Sequence, residues 1–228
     1  MNPDSNIFPA ELIKVTKVFS RSGNETVALN NVSFRVSQGE LVLLLGPSGS
    51  GKTTLLTLLA GFQEPSQGEA YIFGKRVQDY SPSALQKIRA CQMGFIFQTF
   101  CLLDSLRVLD NVTLVMKFAG IPEKTARRHA GECLERFGIG HLSNEFPVKL
   151  SQGEKQRVAV ARAIANGSRM ILADEPTGSL ATEQGMAIIE YLHDSVRKDG
   201  LGVVIASHDD RISKFADRVH YLRDGILI

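Results

Sequence analysis

The chain has 228 residues, 43% of them hydrophobic and 22% charged, and a net charge of +2. This is ordinary for a soluble globular protein and gives ample core for one large domain or two small ones. No run of five or more basic residues occurs, so nucleic-acid binding has no support in the sequence.

Residues 1–10 carry two prolines and two asparagines and read as a loose lead-in. Glu11–Val18 alternates and predicts a strand. Arg21–Glu25 is a turn, and Val27–Val36 is a second strand, with Leu29, Val32, Phe34 and Val36 spaced for one. Ser37–Glu40 is a tight turn. The opening is therefore expected to be a small antiparallel sheet.

Leu41–Leu45 follows, five apolar residues without alternation, which suits a strand buried on both faces of a parallel sheet. Gly46, Gly51, Lys52 and Thr53 then fit G-x-x-x-x-G-K-[ST], the phosphate-binding loop. A leucine-rich helix pattern comes next. Loop amides and a helix N-terminus together make an anion site. Gly46, Ser48, Gly49, Ser50, Gly51, Lys52, Thr53 and Thr54 are thus expected to bind the nucleotide. Lys52 should reach the β- and γ-phosphates, and the Thr53 hydroxyl should ligate Mg²⁺.

Gly61 is placed to end that helix. Glu64–Gly68 is a turn, Glu69–Phe73 a strand and Gly74-Lys75 another turn. Ser81 and Pro82 open a helix as N-cap and first residue. Met93–Gln98 reads as a short buried strand, and Gln98 at its end is a candidate for Mg²⁺ or water, or an ordinary turn residue. From about 99 to 160 the pattern is helical: Val108–Phe118, Lys124–Phe137, and a helix from about Gly153 to Asn166 capped by Ser151. An apolar groove for a short partner helix is expected near Phe100–Leu106.

The α/β alternation then returns. Met170–Ala173 is a strand that delivers Asp174 and Glu175 at its carboxyl end, where ligands sit in open α/β sheets. Asp174 is assigned to the metal and Glu175 to the attacking water. Thr182–Arg197 is a helix, Val203–Ser207 a strand and Asp209–Phe215 a short helix. His208 can donate to a γ-phosphate oxygen. Asp224-Gly225 joins Val219–Leu222 and Ile226–Ile228 as a hairpin.

Cys91, Cys101 and Cys133 have no metal-site spacing and are expected to be reduced, mostly buried thiols. No apolar run approaches the ~18 residues that span a bilayer, and the N-terminus lacks a signal-peptide pattern. Any membrane role would therefore need a span from another chain.

Taken in order, GPSGSGKTT, Gln98, LSQGEKQR, ILADEPTGSL and His208 resemble the ATP-binding cassette (ABC) ATPases along essentially the whole chain. Among these the segments VALNNVSF, MGFIFQ and SHDDRISKFADRVHYLRDG are similar to the MacB, LolD and DevA group. The resemblance implies a P-loop NTPase with a RecA-like core, an N-terminal antiparallel β subdomain and an inserted helical subdomain over about 99–160, all within one domain over 1–228. It implies ATP and Mg²⁺ as ligands, a homodimer in the ATP-bound state and a transmembrane permease partner of the MacB, LolC, LolE or DevC kind, with a periplasmic adaptor in some systems. The protein would sit on the cytoplasmic face of the inner membrane and drive export or extraction of lipid, lipoprotein, glycolipid, peptide or drug. An ATP-driven mechanotransmission or regulatory module, as in the cell-division cassette, is the alternative.

The resemblance further places Ser151 and Gly153 on the γ-phosphate of the opposite subunit. It puts Glu175 and His208 in hydrolysis and Phe19 against adenine, although a core phenylalanine fits that position too. Two residues depart from the pattern. Gln152 stands where glycine is usual, and Ala181 stands where aspartate is usual. ATP binding is expected to survive both, with cooperativity or turnover lowered.

Overall fold

A computed structural model describes residues 7–21, 24–178 and 182–228. The first sheet contains β1 (Ala10–Arg21), β2 (Asn24–Val36), β4 (Gln67–Ile72) and β5 (Lys75–Arg76) in the order β2-β1-β4-β5, with all pairs antiparallel. The expected antiparallel opening is therefore present, and β4 and β5 extend it. Lys75 belongs to β5 rather than to the turn. The proposed Arg21–Glu25 turn lies partly outside the described residues.

The second sheet contains β3 (Leu41–Leu45), β6 (Met93–Ile96), β7 (Met170–Asp174), β8 (Gly202–Ser207), β9 (Arg218–Arg223) and β10 (Ile226–Leu227), in the order β10-β9-β3-β8-β7-β6. From β9 to β6 every pair is parallel. The Asp224-Gly225 hairpin is present, with φ of 49° and 75° at its two turn residues. That is the type I′ geometry whose twist suits a two-residue hairpin.

The absence of alternation in β3 now has its reason. Val42 and Leu44 enter one core, while Leu41, Leu43 and Leu45 enter the other. Both faces of the sheet are covered. On one side lies α1 (Lys52–Leu59), whose Leu55, Leu56, Leu58 and Leu59 are buried between the two sheets. On the other lies α6 (Thr182–Asp199), which buries Ile188, Ile189, Leu192 and Val196. Each fully buried leucine contributes roughly 1.5–3 kcal/mol, so these two layers hold β3 rigidly behind the loop that follows it.

Helix α2 (Pro82–Gln92) starts as expected, with Ser81 Oγ accepting from Ala84 N–H at 3.2 Å. Between β6 and β7 come α3 (Val108–Phe118), α4 (Glu123–Arg136) and α5 (Gln152–Ile164). They share a third core built on Val112, Met116, Ala130, Leu134 and Val158. One strand end is corrected: β6 stops at Ile96, so Gln98 lies in the turn beyond it. The expected short helix after β8 is a 3₁₀-helix over Asp210–Phe215. Cys91 and Cys133 are half-buried and Cys101 is exposed, so no cysteine is fully buried.

Candidate nucleotide site

Parallel pairing puts the carboxyl ends of β3, β8, β7 and β6 along one edge of the sheet. Each of those ends continues into a segment carrying a predicted site residue. A cleft of about 640 Å³ opens there, walled by Ser48, Gly49, Lys52, Thr53, Gln98, Asp174, Glu175 and His208 among others. Gly51 and Thr54 line it too.

The loop is shaped by backbone crowding. A Cβ at Gly46 would run into the Leu222 carbonyl, and one at Gly51 would run into the Ala28 carbonyl. Gly51 also has φ 106°, which L-residues avoid. Because Gly51 caps α1 without a side-chain acceptor, the first amides of α1 have no side-chain cap. These free N–H groups and the helix dipole favour an anion. Ser50 is buried, and its Oγ has no partner among the described residues.

Lys52 is buried, and its Nζ donates to the carbonyls of Gly46 at 2.7 Å and Pro47 at 3.0 Å. It also lies 3.8 Å from Glu175 Oε1. Thr53 Oγ1 donates to Asp174 Oδ2 at 2.6 Å. Burial raises the Asp174 carboxyl above its usual pKa, against the lowering effect of the Thr53 bond. A hydroxyl beside a carboxylate is a hard-oxygen donor pair of the type Mg²⁺ accepts while keeping waters of its own. These residues therefore fit the cation, at the mouth of a loop suited to phosphate.

Glu175 adopts φ 49°, a left-handed backbone that costs on the order of 1–3 kcal/mol for a non-glycine residue. It is held by Glu175 N–H donating to the Ala206 carbonyl at 2.9 Å and by Gly178 N–H donating to the Glu175 carbonyl at 3.1 Å. The side chain is 11% exposed, and His208 Nδ1 lies 3.0 Å from its Oε2. His208 itself is 70% exposed.

Comparison with known proteins agrees with this geometry. The family model described as "ABC transporter" matches residues 29–178. The chain belongs to the ABC transporter family. An uncharacterized ABC transporter ATP-binding protein of Methanocaldococcus jannaschii is 38% identical over 218 residues, which cover 96% of this chain and 97% of the relative. The macrolide export ATP-binding/permease protein MacB of Rhodopseudomonas palustris is 38% identical across 96% of this chain, which spans 33% of that longer protein. A dimeric structure of the ATP-binding cassette MJ0796 in a post-hydrolysis state, bound to ADP and Pi, superposes with a TM-score of 0.91 at 37% identity, covering 96% of each chain. The protein is an ABC ATPase cassette of mixed α/β fold, and ATP with Mg²⁺ is its ligand.

Not every predicted residue of the cassette reaches the cleft. Ser151 and Gly153 are absent from its walls. Ser151 caps α5 as expected, in a reciprocal capping box with Glu154: its Oγ accepts from Glu154 N–H at 3.3 Å, and Glu154 Oε2 accepts from Ser151 N–H at 2.8 Å and from its hydroxyl at 2.7 Å. These bonds hold the Glu154 carboxyl below its usual pKa. Gln152 is exposed beside Ser151. Phe19 is 40% exposed rather than in the core, with Lys17 Nζ 5.2 Å from its ring centroid. It sits on β1 opposite Thr26, which lines the cleft. Ala181 lies outside the described residues.

Sequence reading missed contributors from β2 and β8. Thr26, Val27 and Ala28 of β2 form one wall, a placement that no local pattern signals. Ser207, fully buried at the end of β8, hydrogen-bonds Glu175. A polar residue closing an apolar strand just before His208 was the available signal.

The expected groove also exists, about 380 Å³ in volume and distinct from the cleft. Leu103 and Cys101 line it, together with Arg89 of α2, Phe95, and Val115 and Phe118 of α3. Phe100 and Leu106 are not among its walls. Leu103 and Phe118 are 47% and 66% exposed.

Proposed function

We propose that the chain is a single ABC ATPase domain over residues 1–228, with a helical subdomain over about 99–160, and that it powers a transmembrane permease from the cytoplasmic face of the membrane. The carrying observation is that four strand ends deliver Lys52, Asp174 with Glu175, His208 and Gln98 to one cleft. That set matches the needs of in-line attack on a γ-phosphate.

Lys52 transfers from the loop carbonyls to the β- and γ-phosphates of ATP, exchanging neutral acceptors for charged ones. The amides of the loop, including those of Ser48, Gly49, Ser50 and Gly51, and the hydroxyl of Thr54 cradle the phosphate chain. Thr53, Asp174 and Gln98 would hold Mg²⁺, which would supply charge neutralisation to the phosphate chain. Glu175 takes the proton of the attacking water. His208 swings from Glu175 to a γ-phosphate oxygen, as its exposure permits. Phe19 stacks on the base at the β1 edge.

Two copies close head to tail, and the exposed N-terminus of α5 brings Ser151 and Gly153 to the partner's phosphate. Support comes from the distance in the fold: neither residue reaches the cleft of its own chain. The related cassette is described as dimeric. The groove beside Leu103 and Phe118 receives a cytoplasmic helix of the permease, and the likeness to MacB favours an export or extraction system.

Glu175→Gln decides the matter. With Mg-ATP the wild type hydrolyses and returns to monomer, whereas the variant loses at least ~10²-fold in turnover and accumulates as an ATP-bound dimer in light scattering. Wild-type turnover in the variant, or a monomer at saturating ATP, would overturn the reading.

A further inference from the structure

Among the described residues Glu175 has three side-chain partners, and two of them are needed elsewhere during the reaction. Lys52 Nζ lies 3.8 Å from Oε1, and His208 Nδ1 lies 3.0 Å from Oε2. Under the proposed mechanism both move to phosphate. The third partner is Ser207, whose Oγ donates to Glu175 Oε2 at 3.3 Å.

Ser207 differs from the other two in having nowhere to go. It is the last residue of β8 and 0% exposed. Its Oγ accepts from Asp209 N–H at 3.1 Å. A hydroxyl has one proton to give, and with a lone pair engaged by that amide the proton is directed to the carboxylate. Asp209 is fixed in turn: its Oδ1 accepts from Arg211 N–H at 3.0 Å, and Arg211 grips both carboxylate oxygens. The alignment comes from the sheet. Asp174 pairs with Ala206 in the parallel register of β7 and β8, so the next step along each strand puts Glu175 beside Ser207.

We propose that Ser207 is a positioning residue that holds the Glu175 carboxylate in line with the attacking water once His208 and Lys52 have turned to the nucleotide. This rests on Glu175 acting as the base. Ser207 touches neither water nor phosphate; it acts through the orientation of the Glu175 carboxylate. The other charged groups facing Glu175 are Asp174, Lys52 and His208.

The test compares Ser207→Ala, Ser207→Thr and Glu175→Gln with the double variant, measuring ATP turnover and ATP affinity at pH 7. Ser207→Ala is expected to lower kcat about tenfold with ATP affinity within about twofold of wild type. Ser207→Thr, which keeps the hydroxyl, should restore kcat. In the Glu175→Gln background Ser207→Ala should add no further loss, because the two residues act as one unit. Should Ser207→Ala fail to fold, Ser207→Cys, a weak donor of similar size, takes its place with the same expectations. An unchanged kcat, a loss confined to ATP affinity, or an undiminished effect in the Glu175→Gln background would overturn the proposal. Wild-type turnover in Glu175→Gln alone would instead sink the assignment of the base.

Discussion

The hydroxyl of Thr53 donates to Asp174 Oδ2 at 2.6 Å, joining residues 121 positions apart. The bond ties the first turn of α1 to the end of β7, so the phosphate loop and the acidic strand end form one unit. Burial raises the Asp174 pKa. The sign follows from linkage: a carboxyl whose folded pKa is raised favours folding most below its unfolded pKa, and that contribution is lost as pH rises through the folded value. Asp174→Asn is therefore expected to stabilise the nucleotide-free protein at pH 7, raising Tm by roughly 2–4 °C, with the gain shrinking toward pH 4. Calorimetry across that range checks it, and a less stable variant at pH 7 would refute it. The same variant should lose the Mg²⁺-dependent part of its ATP affinity.

Lys52 is satisfied by two carbonyls and sits near Glu175. Its ammonium can therefore exchange partners without leaving the buried loop. Lys52→Met should weaken ATP binding by roughly 10- to 100-fold, the loss of one or two charge-assisted bonds. Titration calorimetry with a non-hydrolysable analogue measures this directly. Unchanged affinity would remove Lys52 from the phosphate site.

Gly51 combines φ 106° with a close approach to the Ala28 carbonyl. Gly51→Ala must either strain that backbone or push β2 away. A stability loss of about 2 kcal/mol or more is expected in urea unfolding, together with weakened ATP binding. A variant as stable as wild type would mean that the loop relaxes freely.

Leu103 and Phe118 face the groove and lie outside the nucleotide cleft. Leu103→Glu and Phe118→Glu should leave the ATPase rate of the isolated cassette within about twofold of wild type, since exposed substitutions cost little stability. Reconstituted with its permease, either variant should lose the partner's stimulation of hydrolysis. Full stimulation with both variants would move the docking site elsewhere.

Much of the nucleotide site was legible because each part is local. The spacing of Gly46, Gly51, Lys52 and Thr53 needs only a strand before it and a helix after it. The apolar run Met170–Ala173 announces that Asp174 and Glu175 stand at a strand end. Likewise Ser81-Pro82 and Asp224-Gly225 carry their own backbone preferences, and the structure has the helix start and the hairpin there. Boundaries were less secure. Phe97 and Gln98 continue an apolar pattern that suits a strand, yet β6 ends at Ile96, where its ladder with β7 ends at Ala173.

The sequence by itself determined which residue types are available to hold phosphate and metal, because glycine freedom, charge and strand-end position are properties of a few neighbouring residues. Tertiary structure alone decided which of them meet. The order β3-β8-β7 brings Lys52, His208 and Glu175 together, and the register of Asp174 on Ala206 brings Ser207 to Glu175. Strand pairing and the burial of both faces of β3 act between distant residues, so no local pattern encodes them. The same packing keeps Ser151 and Gly153 out of the cleft's walls and leaves Ser151 exposed at the start of α5.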